Sequence, residues 1–370
     1  MGGNSFGKIF RVTSWGESHG KCVGVVVDGV PAGLELSEDD IQKELDKRRP
    51  GTSKVVSGRK EPDRVEILSG VFRGKTIGTP IGMLVRNVAF DSGPYEEREG
   101  LPRPGHADLT YLQKFGHVDL RGGGRASGRE TVARVAAGAI AKKLLKKFGI
   151  EVLAHTVEIG GIQVDRDSIK LDDIRAAQKN PVRCADRMAA RKMMNLIEET
   201  KKKGNSVGGV VEIIALGVPA GLGEPVFDKL DAHLAWALMS IGGIKGVELG
   251  AGFRLTKMNG SEANDQYSID PKTGRIFTKS NNSGGVLGGI SNGMPIVARI
   301  AVKPTSSISL PQHTVNLKTM KVSTLKIRGK HDPCLCPRVV PVAEAMVAIV
   351  LADHMLRSGM INPDKLDKVR

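Results

Sequence analysis

VDGVPAGLELSEDDIQKELDKRRPG (27–51) returns later in the chain as ALGVPAGLGEPVFDKLDAHLAWALMSIGG (215–243), with GVPAGL shared at 29–34 and 217–222. Each copy reads as a valine-rich strand, a Pro-Ala-Gly turn and a helix. In the first, Ser37 and Asp40 form a capping box, and Pro50-Gly51 stops the helix. In the second, Pro225 marks the helix start, and Phe227, Leu230, Leu234, Leu238 and Ile241 recur on one face.

The echo continues in the same order. GKTIGTPIGMLVRN (74–87) parallels GGISNGMPIVARIA (288–301), a glycine-rich turn leading into a strand. RETVARVAAGAIAKKLL (129–145) parallels PRVVPVAEAMVAIVLAD (337–353), two apolar helices. Ala136, Ala137, Gly138 and Ala139 predict a helix that packs very closely on a neighbour. Three matches in order point to an internal duplication, with repeats at roughly 20–150 and 208–355. Strands and helices in such blocks predict one α+β layered domain with pseudo-twofold symmetry, its site where the halves meet. Three stretches fall outside the pattern: mobile loops at 88–121 and 257–284, and an exposed helical excursion at 166–203 ending in Lys201-Lys202-Lys203.

Lys and Arg total 55 against 40 Asp and Glu, a surplus of +15 that favours an anionic partner. Aromatics are only 4%, which leaves few platforms for stacking nucleic-acid bases. Four cysteines make no disulfide framework, and the C-x-C of Cys334 and Cys336 lacks zinc spacing, so no metal site is expected. MGGNSFGKIFRVTSW has no apolar core of a signal peptide. The apolar run 339–351 is short for a bilayer and contains Glu344. The expectation is a cytoplasmic protein with no membrane and no nucleic-acid partner.

Five constellations carry chemistry. Ser18-His19 stands in a glycine-flanked turn before a strand; by itself it reads first as a structural turn, although a histidine there suits a general acid. His106 is held on the stiff turn Arg103-Pro104-Gly105. RGGGRASGRET (121–131) is an anion cradle, glycines running into a helix start. It misses the P-loop pattern, because Arg129-Glu130 replaces Lys-Ser/Thr, so ATP use is rejected. KPTSS (303–307) offers a lysine and hydroxyls to a phosphate, or is an ordinary polar turn. Lys330, His331 and Asp332 precede the last helix, as the cradle precedes its counterpart; pseudo-symmetry would bring both to one site.

Taken together, GESHGKCVGVVVDGVP (16–31), GRASGRETVARVAAGAI (124–140) and HDPCLCPRVVPVAEAM (331–346) resemble the chorismate synthase family. RRPGTS (48–53), RPGHAD (103–108), SNNSGG (280–285) and KPTSS (303–307) fall between them in the family's order. The resemblance spans nearly the whole chain. It implies a β-α-β sandwich, helices between antiparallel sheets, assembled as a homotetramer. It implies a 1,4-elimination of phosphate from 5-enolpyruvylshikimate 3-phosphate to give chorismate, the last step of the shikimate pathway. The reaction needs reduced FMN without net redox change. The basic surplus then acquires a purpose, since substrate and flavin together bring several anionic groups.

The resemblance also implies roles. His19 is the acid that protonates departing phosphate, supported by Ser18. His106 protonates or hydrogen-bonds the reduced flavin, Asp332 stands near flavin N5, and Ser127 lends polar support. Arg48, Lys54, Arg103, Arg129 and Lys330 clamp the substrate. Arg125, Ala126, Ser127, Gly242, Gly243, Gly288, Lys303, Pro304, Thr305, Ser306, Ser307 and Lys330 contact the flavin. The family often has arginine at the positions of Lys54 and Lys330, and GRSSARE where this chain has Ala126 and Gly128. Lysine keeps the charge there and loses the guanidinium fork. Reduction by NADPH on the chain itself and reduction by an external flavin reductase both remain open; no obvious extra domain favours the external source. Two rival classes, a basic nucleic-acid-binding protein and a net-redox flavoprotein reductase, are weakened by the scarce aromatics and by the lack of a Rossmann glycine fingerprint.

Overall fold

A computed structural model describes residues 2–49, 51, 61–88, 93, 100–119, 121–327, 329 and 331–366. It contains two five-stranded antiparallel sheets. The first runs Ser5–Phe6, Arg11–Trp15, Cys22–Asp28, Ile81–Arg86, Val65–Ile67 from edge to edge. The second runs Ile162–Gln163, Glu151–Ile159, Gly209–Leu216, Ile296–Val302, Ile244–Leu249. Taken in these directions, the two sheets have the same spatial order for strands that occupy the same place in each half.

Period-two burial explains the matching pairs. Val23, Val25 and Val27 stand opposite Val85, Met83 and Ile81, and all six are buried. In the second sheet Val211, Ile213 and Ala215 stand opposite Ile300, Ala298 and Ile296, again all buried. Alternation puts these residues on one face, and each fully buried aliphatic side chain of Val or Ile size contributes about 1.5–3 kcal/mol.

Between the sheets lie the helices Glu38–Arg48, Thr131–Lys146, Cys336–Arg357 and Leu230–Met239, neighbours in that order. The middle two are the counterparts predicted from the echo. Their closest approach is at Gly138, where a Cβ would stand 2.3 Å from the Cβ of Ala345, so only glycine allows this crossing. Glu344 sits in the same apolar helix with its charge satisfied. Its Oε1 accepts from Ala154 N and Gln178 Nε2, both at 2.9 Å. Its Oε2 pairs with Lys142, which also reaches Glu44 Oε2 at 2.8 Å.

Several expectations are corrected. The last apolar run belongs to a 22-residue helix, long and apolar enough to cross a bilayer; that apolar window is wholly buried in the protein. The second-half helix begins at Leu230, not at Pro225, because a turn closed by Glu224 N to Asp228 O at 3.0 Å comes first. Phe227 therefore leaves the buried face and is 91% exposed, while Leu230, Leu234, Leu238 and Ile241 keep it. The segment 257–284 is a built element: a short helix Gly260–Ala263 and a hairpin, Tyr267–Ile269 with Ile276–Thr278. The Asp265 carboxylate organises it, accepting from Ser280 Oγ, Asn282 N and Ser283 N at 2.6–2.8 Å. Within 88–121, Asp108–Phe115 is a helix. The excursion is helical as expected, with Leu171–Ala177 and Arg187–Lys202, and Lys201, Lys202 and Lys203 are exposed.

Candidate active site

The glycine turn Arg121–Ala126 is the meeting point of the two histidine loops. Gly122 has φ +62°, and a Cβ there would lie 2.2 Å from His19 Cδ2, 2.4 Å from His19 Nε2 and 2.5 Å from Ser18 Oγ. Ser18 and His19 are both buried, and the Ser18 hydroxyl donates to Arg121 O at 3.3 Å. Gly123, φ +87°, faces the other loop: its Cβ position is 3.5 Å from Arg103 Nη2. At Gly122 any side chain would intrude on the His19 turn, whereas at Gly123 it is the positive φ that favours glycine.

Arg103 is fixed by a two-pronged ion pair to Asp108, Nε to Oδ2 and Nη2 to Oδ1, both at 2.7 Å. His106 Nδ1 lies 3.1 Å from Pro104 O and its Nε2 lies 2.7 Å from Ser307 Oγ. A carbonyl only accepts, so Nδ1 carries the proton and Nε2 accepts from the serine hydroxyl. Burial, then the neighbouring Arg103 charge, pull the His106 pKa down to about 4. Lys303 Nζ donates to Gly105 O at 2.7 Å and Ser306 Oγ donates to the same carbonyl at 2.9 Å. The KPTSS stretch therefore grips the Arg103–His106 turn.

A third group surrounds Asp63, a residue with no exposed surface. Its Oδ2 accepts from Arg48 Nη2 at 2.6 Å, and its Oδ1 pairs with Arg129. Burial opposes its charge, but Arg48 and Arg129 outweigh it and hold the carboxyl below its usual range. Arg48 is buried and its pKa is drawn down to about 10 by burial, offset by Asp63 and reinforced by the nearby Arg338 and Arg129 charges. That proximity places the last helix's Arg338, which donates to Asp332 Oδ2 at 2.5 Å, beside the first half's arginines. The two half-chain motifs do converge.

Other predicted residues are differently disposed. The Arg125 guanidinium turns back into the first sheet, donating to Gly16 O at 3.0 Å and Ser14 Oγ at 2.6 Å, so it braces the strand leading to His19. Ser127 Oγ accepts from Arg129 N at 3.2 Å, within one turn. Gly243 O accepts from Lys303 N at 2.9 Å, joining the Gly242-Gly243 and KPTSS stretches. Gly288 is not joined to them. It stands in a separate turn, beside Gly289, whose carbonyl accepts from Leu230 N at 2.9 Å. Lys54 and Lys330 lie outside the described residues, and Ala126 contributes backbone only.

Sequence reasoning missed Asp63, Asn87 and the pairing of Arg103 with Asp108. Asp108 stood inside a quoted motif. Asp63 in EPDRVE and Asn87 at the end of a strand carry no local pattern, since their partners are far away in the chain.

Two antiparallel sheets around a helical layer, with histidines and arginines gathered near one glycine turn, define an α+β protein with a candidate site where its halves meet. The family model for chorismate synthase matches residues 10–356. A chorismate synthase of Methanothermobacter thermautotrophicus is 57% identical over 98% of this chain and 96% of the relative. That of Methanosarcina barkeri is 58% identical over 99% of this chain and the whole relative. A crystal structure of a chorismate synthase superimposes with a TM-score of 0.77 at 36% identity, over 95% of this chain and 93% of that one. The chain belongs to the chorismate synthase family.

Proposed function

We propose that the chain eliminates phosphate from 5-enolpyruvylshikimate 3-phosphate to form chorismate, as a carbon–oxygen lyase acting in the cytoplasm. The observation that carries this reading is the Arg121–Glu130 segment, where buried His19 and Ser18 and the side chains of Arg48, Arg103 and Arg129 gather. A substrate with one phosphate and two carboxylates needs such concentrated positive charge to offset its own repulsion.

His19, backed by Ser18 and Gly122, stands as the proton donor to the departing phosphate, which leaves far more readily once protonated. Arg103 presents a preorganised guanidinium at the same glycine turn, so its position is set before substrate arrives. Among the described residues the buried Arg48 Nε–H has no partner, a donor left for an incoming anion. Arg129, whose nitrogens all find protein acceptors in Asn87, Asp63 and Arg86 O, acts as the frame that holds Arg48's charge in place.

The flavin reading fits the chain's own donors. Among the described residues Thr305 Oγ1 is buried with no partner, and at Gly242 a Cβ would meet nothing within 4 Å. An orphan hydroxyl, a lysine and open glycine backbone suit the phosphate and polar ring edge of FMN, with Lys303–Ser307 and Gly242-Gly243 as its holders. Reduced FMN, when bound, supplies the electron-rich partner that the elimination requires without net redox change. His106, neutral at physiological pH, serves it as a hydrogen-bonding group and not as a ready acid. Asp332, paired with Arg338, remains a fixed carboxylate at the same junction. NADPH or an external flavin reductase would keep the cofactor reduced, and a homotetramer is the expected assembly.

The test is phosphate release from 5-enolpyruvylshikimate 3-phosphate under anaerobic conditions with reduced FMN. The expected result is stoichiometric chorismate and phosphate; folded protein that releases neither overturns the reading. Running the assay with NADPH as sole reductant separates the two routes of flavin reduction.

A further inference from the structure

Asn87 follows the strand Ile81–Arg86 and has its side-chain amide committed in two directions. Its Oδ1 accepts from Arg129 Nε at 2.7 Å. Its Nδ2 donates to Glu17 O at 3.0 Å and to Gly20 O at 2.8 Å. Its backbone N–H adds a bond to Lys21 O at 3.1 Å. Glu17 and Gly20 flank Ser18 and His19, so one amide closes the turn on which that histidine stands. The same amide holds Arg129, which Asp63 ties to Arg48. Both amide hydrogens of Asn87 are used and its oxygen is engaged by Arg129, and the residue is 9% exposed.

The amide's orientation follows from its partners: donors must face the two carbonyls and the acceptor must face the guanidinium. No other side chain of this length meets both demands. Aspartate would satisfy Arg129 but set a carboxylate oxygen against two carbonyl oxygens. Serine is too short to span the gap.

We propose that Asn87 is a positioning residue that couples the His19 turn to the Arg48–Asp63–Arg129 cluster, holding proton donor and anion-binding charge at one separation. It acts through His19 and Arg129. The proposal rests on the phosphate-eliminating reading above.

The test uses the full chain in the anaerobic phosphate-release assay, with kcat, KM and the pH profile of kcat measured per folded molecule. Asn87→Asp keeps the arginine contact and opens the His19 turn. Its kcat is expected to fall about 100-fold, as for a catalytic group displaced by an ångström, with an altered pH profile and little change in KM. Asn87→Ser loses both contacts; kcat falls similarly and KM rises about tenfold, the value of a hydrogen bond to a charged group. If Asn87→Asp does not fold, Asn87→Ser carries the test. Variants that lose only thermal stability, with wild-type kcat, KM and pH profile, overturn the coupling alone. A wild-type chain that releases no phosphate overturns the functional reading and this proposal with it.

Discussion

Gly122 lies against the imidazole of His19, its missing Cβ only 2.2 Å from the ring's Cδ2. Packing of backbone on ring is what gives His19 one orientation. Gly122→Ala is expected to displace the ring and lower kcat about 100-fold. The positive φ adds a destabilisation of about 1–2 kcal/mol. Phosphate release and urea unfolding of the same preparation measure the two effects; an alanine variant with full turnover would show that His19 is not held by this contact.

Asp63 neutralises one of two buried guanidiniums. Asp63→Asn leaves Arg48 and Arg129 facing each other across an uncharged amide. Breaking a buried pair of this kind destabilises by about 3–5 kcal/mol. Denaturant unfolding should register that loss, and the surviving folded fraction should bind 5-enolpyruvylshikimate 3-phosphate with a raised KM. An unchanged midpoint would mean that the arginines find other acceptors.

His106 makes folding stability depend on pH. Its folded pKa is about 4 against 6.5 for the free side chain. The unfolded chain takes up the proton first, so stability is full above pH 6.5 and is lost as pH falls from there toward 4. The contribution is at most about 3 kcal/mol. His354, drawn down to about 3 by burial beside Arg357 and His233, adds loss of the same sign. Urea midpoints across this window should fall more gently for His106→Gln than for the wild type; equal slopes would remove His106 as a contributor.

The two central helices touch at Gly138 and Ala345. Gly138→Ala is expected to destabilise by about 1–3 kcal/mol through overpacking. Ala345→Gly, made in the same chain, removes the 2.3 Å contact with the Ala345 Cβ but leaves the backbone Cα at 2.6 Å, so it should recover only part of that loss. A double-mutant cycle on thermal unfolding reads the coupling directly, and simple additivity would place the strain elsewhere.

Much of the fold was legible because its causes are local. GVPAGL twice, the valine-rich run before its first copy and small residues at 136–139 led to strands, turns and a close helix crossing that the structure contains. Where legibility failed, a distant contact overrode a local signal. Pro225 looked like a helix start, and the turn closed between Glu224 and Asp228 delays that start to Leu230. Residues 257–284 looked like a loop because their order comes from Asp265, whose partners lie 15–18 residues away. The histidines and arginines of the site were readable as motif members, whereas their roles as partners were not.

The sequence by itself determined the main strands and helices of the two halves, their order, and the residue types brought to the junction. Periodicity and turn chemistry act over a few residues, so they are written where they act. Only the tertiary structure decided that Arg129 and Arg125 are braces, that His106 is neutral, and that Asp63 and Asn87 bind the site together. Those outcomes depend on which acceptor or charge stands within about 3 Å after folding. Arg129 meets Asn87 and Asp63 from 42 and 66 residues away, a distance over which spacing in the chain carries no information about contact.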